Sequence, residues 1–367
     1  MSGLYIHIPF CQRKCFYCSF AVVVAQENKQ DDYIEALKKE ASAYQGAEIK
    51  TIYLGGGTPS LLNVSALAKL FAMIKATFVY PPECEITVEA NPENLDLEKA
   101  KFLFGLGVNR VSLGVQTFDD KYLKLLGRAH DSYTGLRAFN DLRRAGFKNI
   151  NVDLMYSFPA QTLDEIKQDA QTVLGLGSEH ISIYTLTVEP NSKFYAQRMP
   201  QQDNALQGQQ YQLVTTLLEQ SGVKQYEVSN FCREGFESKH NINYWESGNY
   251  IGLGVSSHSH FDGRRSWNTS RLADYLKMTQ GGLSPQEADE ILLPQMRLKE
   301  AFVFGLRINR GVNIAALEQR LSCQLPDDVC RQIKILTDEG FLVKEGQWVR
   351  ATDKGRLLLD EIAVKLI

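Results

Sequence analysis

The sequence lacks both a long hydrophobic run and an excess of basic charge. Among its 367 residues the longest early apolar run, Phe20–Ala25, is far too short to cross a bilayer. This argues against an integral membrane protein and leaves peripheral membrane contact open. With 40 Lys and Arg residues against 43 Asp and Glu residues, there is no broad basic field for nucleic acid. The N-terminus also lacks the basic and apolar stretches of a signal peptide, so we predict a cytoplasmic protein that does not bind nucleic acid.

Cysteine is scarce and unevenly placed. Seven cysteines, an odd number, cannot all pair as disulfides, which indicates a reducing compartment. Three of them, Cys11, Cys15 and Cys18, stand with three and then two residues between them. Such soft thiolates suit a metal, and a [4Fe–4S] cluster bound by three cysteines keeps one iron open to another ligand. A zinc site that includes a nearby residue such as His7 and an unliganded, reduced trio remain as alternatives.

This cysteine spacing resembles the signature of the radical S-adenosylmethionine (SAM) superfamily. The string from Tyr5 to Cys11, Tyr-Ile-His-Ile-Pro-Phe-Cys, is similar to that of the oxygen-independent coproporphyrinogen III oxidase group within the superfamily. The resemblance implies a [4Fe–4S] cluster held by Cys11, Cys15 and Cys18. It also implies that the open iron of this cluster binds the amino and carboxylate groups of SAM.

Short apolar runs alternate with amphipathic stretches from residue 4 to about residue 190. Six runs are predicted as strands: Leu4–Ile8, Ile49–Leu54, Glu85–Ala90, Arg110–Val115, Asn149–Met155 and His180–Val188. Strands that alternate with helices indicate parallel βαβ units. Six units in series favour a barrel over a doubly wound sheet, which the pattern alone leaves open. The family resemblance implies an α/β fold with an open parallel (β/α)6 barrel, a partial TIM-type barrel.

The pattern changes toward the C-terminus. A helix is predicted over Tyr211–Gln220 and a strand over Tyr226–Phe231, and from about residue 287 helical stretches and one hairpin candidate follow. Three helices with a small hairpin resemble a winged-helix-like α+β domain, but the acidic pairs Asp327-Asp328 and Asp338-Glu339 argue against DNA recognition. We predict a radical SAM barrel domain over residues 1–235, a connecting segment over 236–286 and the winged-helix-like domain over 287–367.

Polar residues stand where the predicted strands end. Glu89 ends the third strand, Gln116 ends the fourth, and Asp153 lies late in the fifth. The carboxyl ends of barrel strands share one face, so these side chains should line one cleft. A tight turn, a helix cap or a surface ion pair is the structural alternative for such residues. The resemblance implies contact with SAM for Tyr5, Tyr17, Gly56, Gly57, Thr58, Glu89, Gln116, Arg128 and Asp153, with Thr187 and His258 as further candidates.

A second candidate site lies in the string His240-Asn241-Ile242-Asn243-Tyr244-Trp245. It is either a packed aromatic turn with a hydrogen-bonded histidine or an aromatic and imidazole patch for a flat, partly apolar ligand. Because His and Tyr are both axial ligands of heme iron, His240 and Tyr244 are candidate heme-binding residues. His258 and His260 follow two positions apart and would share a face on a strand.

Two groups share the resemblance, and three features of the sequence separate them. Coproporphyrinogen III oxidases of this type carry a further cysteine two residues after the third and a long N-terminal extension, whereas this sequence has Phe20 there and ten residues before Cys11. HemW-type heme chaperones lack both features and carry the His-Asn-x-x-Tyr-Trp string. The resemblance therefore implies a chaperone that binds heme and a SAM-ligated [4Fe–4S] cluster and transfers heme to acceptor proteins, respiratory ones among them. Oxidative decarboxylation of coproporphyrinogen III and radical methyl transfer with opening of the heme ring are the alternatives, so enzymatic activity stays open.

Overall fold

The structure is a computed structural model that describes residues 2–367. Its strands, numbered along the chain, are β1 (Ser2–Ile8), β2 (Phe10–Cys11), β3 (Val23–Val24), β4 (Ile49–Gly56), β5 (Glu85–Ala90), β6 (Arg110–Gln116), β7 (Ile150–Tyr156), β8 (His180–Thr185), β9 (Lys224–Glu227), β10 (Asn230–Cys232), β11 (Tyr250–Leu253), β12 (His258–Phe261), β13 (Arg264–Asn268), β14 (Gln286–Ile291), β15 (Val312–Asn313), β16 (Leu342–Glu345) and β17 (Trp348–Ala351).

The helices begin and end where the local sequence favours caps. They are α1 (Gln30–Ala41), α2 (Val64–Thr77), α3 (Leu97–Gly105), α4 (Asp120–Leu126), α5 (Ser132–Ala145), α6 (Leu163–Leu176), α7 (Lys193–Ala196), α8 (Asn204–Gln220), α9 (Lys239–Trp245), α10 (Leu272–Gln280), α11 (Pro294–Gly305), α12 (Ile314–Leu321), α13 (Asp327–Asp338), α14 (Asp353–Arg356) and α15 (Leu359–Leu366). Thr162 and Glu165 form a capping box at the start of α6, and Gly177 ends that helix in the left-handed conformation.

Six parallel strands form the centre of the molecule, in the order β1-β4-β5-β6-β7-β8. Helices α1, α2, α3, α5 and α6 lie in the crossovers between them. Leu4, Ile52 and Val152 are fully buried, because both faces of a parallel sheet are covered. The strand order runs on past β1 and β8 to other strands, so the barrel does not close. The predicted open (β/α)6 barrel is confirmed.

Both edges of the six-stranded core are extended by later parts of the chain. Strand β11 pairs parallel with β1, and β12, β13 and β14 follow in antiparallel order. At the other edge β10 pairs antiparallel with β8, and β9 with β10. The segment 236–286, expected to connect two domains, thus contributes strands to the main sheet.

Two local predictions differ from the structure. The single strand predicted over Tyr226–Phe231 is wrong, because β9 and β10 form a hairpin there. The buried carboxylate of Glu227 accepts the backbone N–H of Ser229 at 3.1 Å and the side-chain amide of Asn230, which turns the chain back. The other difference is that His240–Trp245 lies in helix α9, whose N-terminus is capped by Ser238.

A second hydrophobic core lies in the C-terminal part. It is built from residues between Leu298 and Leu366, whereas the barrel core ends at Leu276. Helices α11, α12 and α13 pack there beside a three-stranded sheet in the order β15-β17-β16, which is the predicted winged-helix-like arrangement. Among residues 2–367, no helix combines the length and the apolar character that a membrane crossing demands.

Candidate functional site

The three grouped cysteines lie at the carboxyl end of the first barrel strand. Cys11 ends the short strand β2, and Cys15 and Cys18 follow in the loop that leads to β3. The Sγ atom of Cys11 lies 3.4 Å from Thr58 Oγ1, after β4, and the Arg128 guanidinium donates to the Sγ atom of Cys15 at 3.4 Å. All three thiols are free and line one cavity of about 370 Å³.

Two of the thiols, those of Cys11 and Cys18, lie in surroundings that disfavour a bare thiolate. Burial raises the pKa of Cys11 to about 11 and also raises the pKa of Cys18. A bound metal removes such protons by coordinating the sulfur. In the part of the chain that the structure describes, no three His, Cys, Asp or Glu side chains converge as ligands of a single metal ion.

The same cavity gathers most of the residues that were expected to contact SAM. Its wall includes the following members of that set: Tyr17, Gly56, Gly57, Thr58, Glu89, Gln116, Arg128 and Asp153. Tyr5 lines a different, second cavity together with His258, and Thr187 is outside the lining of both. Sequence analysis missed Met155 and Tyr184, which also line the first cavity. Both stand near the carboxyl ends of β7 and β8, so the rule that found Asp153 could have found them.

Glu89 is a buried carboxylate at the end of β5. The hydroxyl of Tyr53 donates to its Oε1 atom at 2.7 Å, and the backbone N–H of Gly56 donates to Oε2 at 3.1 Å. Burial raises the pKa of Glu89 to about 7. A Cβ atom on Gly55 would lie 3.0 Å from Glu89 Oε1, so glycine at this position leaves the carboxylate its space.

Asp153, on β7, is the second carboxylate of the cavity. Ser112 Oγ donates to its Oδ2 atom at 3.1 Å, and Asn151 Nδ2 donates to Oδ1 at 2.7 Å. Burial raises the pKa of Asp153 as well. Two hydrogen-bonded carboxylates in one cavity can accept from a cationic ligand, provided that they are ionised.

Gln116 and Arg128 complete the polar wall. Gln116 has a φ of 73°, and the register between β6 and β7 shifts just before it, as at a bulge that re-aims a side chain. The Nη2 atom of Arg128 donates to Asn91 Oδ1 at 2.8 Å and to the carbonyl of Gly114 at 2.7 Å. The guanidinium is therefore fixed beside the cysteine loop, and it adds a buried positive charge to a cavity that Arg13 and Lys14 also line.

The chain resembles known proteins along its whole length. Residues 5–173 match the family model of the Radical SAM superfamily, and residues 292–358 match that of the HemN C-terminal domain. The heme chaperone HemW of Bacillus subtilis (strain 168) is 35% identical over 374 residues, which cover 99% of this chain and 98% of that protein. The chain belongs to the HemW family. The heme chaperone HemW of Escherichia coli (strain K12) is 33% identical over 375 residues, covering 98% of this chain and 96% of that protein.

This HemW-family protein also shares its fold with a solved enzyme. The structure of coproporphyrinogen III oxidase (HemN) from Escherichia coli, a radical SAM enzyme, superimposes with a TM-score of 0.88 at 25% sequence identity. The match covers 99% of this chain and 89% of that enzyme.

Membership of the radical SAM superfamily implies a [4Fe–4S] cluster and SAM, and the first cavity fits both. Three free thiols on one wall are the ligands that such clusters take. Opposite charges of Glu89, Asp153 and Arg128 suit a ligand that carries an amino group and a carboxylate. A Cβ atom on Gly57 would lie 2.8 Å from the carbonyl oxygen of Phe10, so the HemW-family chain needs glycine where the two loops meet.

The His240–Trp245 helix of this HemW-family protein lies beside the second cavity. His240 is only 1% exposed, and both of its ring nitrogens are engaged: Nδ1 with Thr51 Oγ1 at 2.9 Å and Nε2 with the Tyr244 hydroxyl at 2.8 Å. Burial lowers the pKa of His240 to about 3, so the ring is neutral. Tyr244, in contrast, reaches the cavity wall. His240, which does not line the cavity, thus positions Tyr244 through their hydrogen bond.

Proposed function

We propose that this HemW-family protein is a heme chaperone, which binds heme beside a SAM-ligated [4Fe–4S] cluster and transfers it to acceptor proteins. Respiratory heme proteins are one class of acceptor, and the cytoplasm is the proposed compartment. The relatives from Bacillus subtilis and Escherichia coli that carry the name heme chaperone match it over nearly their full lengths. Their names support the proposal, and one cavity of the structure supports it as well.

The observation that carries the proposal is the second cavity. It measures about 510 Å³, and its wall includes Tyr244, Trp245, Tyr250 and His258. Cavities for small-molecule ligands measure about 300–1,000 Å³ and are mostly lined by apolar and aromatic groups. Aromatic and imidazole groups in one such cavity suit a flat ligand with an iron at its centre.

Phe20 brings the two cavities together. Its side chain lines the cysteine cavity and the second cavity alike. This is the position where the oxidase group carries its further cysteine. With phenylalanine there, an apolar ring stands between the proposed heme and the cysteine loop.

The proposed roles of the residues in the first cavity follow from their charges. A cluster with one open iron offers that iron to the amino and carboxylate groups of SAM. Cys11, Cys15 and Cys18 would hold the cluster, and Tyr17, Gly56, Gly57 and Thr58 would shape the cavity around the ligand. Glu89 and Asp153 would accept from its cationic groups, while Gln116 and Arg128 would donate to its acceptors.

Tyr5 and the histidine of helix α9 have different proposed roles. The Tyr5 hydroxyl is 3.0 Å from Nδ1 of His7, and its ring stacks on Tyr53 at 27°. Because Tyr53 also donates to Glu89, Tyr5 acts on the SAM site through Tyr53. His240 lies outside the lining of the second cavity and is hydrogen-bonded to Tyr244, which is part of that lining. His240→Ala should therefore reduce heme loading by loosening Tyr244 while sparing the cluster.

One anaerobic preparation separates the chaperone from the oxidase whose fold it shares. Reconstituted protein is mixed with reductant, SAM and either heme or coproporphyrinogen III, and the Soret band and tetrapyrrole mass are followed. We expect stable heme binding without cleavage of SAM, and an unchanged mass for coproporphyrinogen III. A protein that ignores heme and removes two carboxyl carbons as carbon dioxide would instead be an oxidase. A methylated tetrapyrrole product would indicate radical methyl transfer.

A further inference from the structure

The second cavity is assembled from distant parts of the chain. Tyr5 comes from β1, Tyr244 from α9, Tyr250 from β11 and Phe304 from α11. The rings of Tyr244 and Tyr250 meet edge to face at 4.7 Å between centroids. The cavity therefore has aromatic walls supported by both hydrophobic cores, and it can accept a rigid planar ligand.

One histidine of this wall is oriented as metal-binding histidines are. His260 Nδ1 lies 3.3 Å from the carbonyl oxygen of Gly248, and within residues 2–367 its Nε2 atom has no hydrogen-bond partner. Metal-binding histidines usually donate their second N–H to a carboxylate or a backbone carbonyl, which fixes the tautomer. Burial lowers the pKa of His260, so the ring carries a free electron pair at neutral pH.

The neighbouring histidine is held differently. His258 stacks on Trp267 at 28°, with 6.0 Å between the ring centroids. Among the described residues its ring nitrogens have no hydrogen-bond partner, and its side chain is more exposed than that of His260. Since nothing orients its second nitrogen, His258 is the weaker candidate for a metal ligand.

The cavity also holds one cation with unused donors. Arg265 is already paired with Glu290 at 3.2 Å and with Glu300. Arg297 is 4.0 Å from Asp262 at its nearest, and its buried Nε atom has no partner anywhere in the described chain. A guanidinium with free donors is suited to a carboxylate.

Three smaller donors around the cavity are unpartnered as well. Trp245 Nε1, Ser247 Oγ and Ser256 Oγ are buried and make no hydrogen bond within residues 2–367, and all three residues line the cavity. Buried polar groups without partners are rare and call for an explanation. A ligand with several acceptor oxygens supplies one.

We infer that an iron porphyrin binds in this second cavity with His260 Nε2 as axial ligand and a propionate on Arg297. The inference rests on the proposed function and deepens it, because it assigns the iron ligand and the propionate contact. The second propionate has Trp245, Ser247 and Ser256 as donors. His240 is a positioning residue in this arrangement, since its two ring nitrogens are engaged with Thr51 and Tyr244.

The iron ligand is tested by heme titration of the full-length protein with His260→Ala and His258→Ala variants. We expect His260→Ala to weaken heme binding by at least about tenfold and to shift the Soret band, and free imidazole to restore the original spectrum. His258→Ala should weaken binding less and keep the Soret position. Circular dichroism and iron content of the reconstituted cluster report whether each variant is folded.

The propionate contact is tested with heme and heme dimethyl ester as paired probes. The native chain should prefer the free acid by about 10-fold or more, as expected for a charge-assisted hydrogen bond, and Arg297→Gln should lose this preference. Arg264→Gln is the matched control, because Arg264 is exposed, pairs with Asp289 and does not line the cavity.

The possible results are distinguishable. If the native protein takes up no heme, the proposed function fails and the inference fails with it. If it binds heme and His260→Ala binds equally well with the same spectrum, the inference alone is wrong. An exchange of the results for His258 and His260 would overturn the assigned ligand. A preference for the free acid over the ester that Arg297→Gln leaves unchanged would overturn the propionate contact.

Discussion

At the scale of single residues, position separates the seven cysteines into two kinds. Cys11, Cys15 and Cys18 line the first cavity, whereas Cys84 and Cys232 are buried in the barrel and Cys323 and Cys330 lie in the C-terminal part. We expect Ser at any one of the first three positions to abolish the brown [4Fe–4S] chromophore, because three thiolates share the cluster. Ser at any of the other four should leave it intact. Iron and sulfide analysis of each variant checks this, and full cluster in Cys15→Ser would contradict the assignment.

Substitutions in the polar wall of the first cavity should weaken SAM binding and leave the cluster intact. Alanine at Glu89, Gln116 or Asp153 should weaken SAM binding by about 5- to 150-fold, because each removes a hydrogen-bond partner worth about 1–3 kcal/mol. Cluster content should stay constant, because Glu89, Gln116 and Asp153 are not among the cysteines expected to bind the cluster. Equilibrium binding of SAM to each variant is the measurement, and unchanged affinity in all three would reject the shared cleft.

Glu89 should make SAM binding depend on pH. Its pKa is raised to about 7 by burial, so the carboxylate is ionised above that pH and becomes protonated as the pH falls through it. SAM carries positive charge, and the native protein should therefore bind it more weakly as the pH falls from about 8 to about 6. In Glu89→Ala this dependence should be smaller. A native pH profile that is flat, or that matches the variant, would show that Glu89 does not face the ligand.

The sequence located some site residues and missed others for a physical reason. Glu89, Gln116 and Asp153 were predictable, because the ends of parallel strands meet at one edge. Arg297 and Phe304 were not, since they reach the second cavity only through the packing of α11 against the barrel. No local pattern in the chain encodes that contact.

At the scale of elements, Glu40 ties helix α1 to the added edge of the sheet. Its carboxylate accepts the N–H of Gly254 at 2.8 Å, the amide of Asn268 at 2.6 Å and the hydroxyl of Tyr275 at 2.5 Å. Glu40→Ala should lower the free energy of unfolding by about 3 kcal/mol, because the buried N–H of Gly254 and the hydroxyl of Tyr275 lose their carboxylate acceptor. The Asn268 amide loses one of its acceptors and keeps the Gly254 carbonyl and Ser257 Oγ.

Chemical denaturation measures this loss. Glu35→Ala, on the exposed face of the same helix, is the matched control, and its free energy of unfolding should change by no more than about 0.5 kcal/mol. Equal stability of the two variants would mean that the contacts of Glu40 do not support the sheet edge.

The edge strands show where prediction from sequence ends. Strand β14, Gln-Glu-Ala-Asp-Glu-Ile, is mostly exposed and charged, and it lacks the apolar alternation that marks a strand. It is a strand because β13 offers it hydrogen bonds along a free edge. The six barrel strands were predictable, since burial on both faces demands continuous apolar runs.

At the scale of the whole molecule, Asn309 joins the C-terminal part to the far edge of the main sheet. Its Nδ2 atom donates to the carbonyl of Gln225 at 2.7 Å, and its Oδ1 atom accepts from Arg356 at 2.8 Å. Asn309→Ala should reduce stability by about 1–3 kcal/mol and make the segment before α11 more accessible to protease. Limited proteolysis checks this against Gln319→Ala, an exposed change on α12. Identical cleavage of both variants would show that Asn309 does not hold the C-terminal part against the main sheet.

Because β1 lies inside the main sheet, one of its two neighbouring strands is synthesised much later than β1 itself. Strand β1 is synthesised before β11, so Tyr5 can pair with Gly252 only after the residues between them have been made. At about 5–20 residues per second, that delay lasts on the order of 10 to 50 seconds. The cysteine loop is thus exposed to the cell long before α11 supplies the last wall of the second cavity. On the proposed function, cluster assembly would therefore precede completion of the chain, whereas heme binding would have to follow the synthesis of α11.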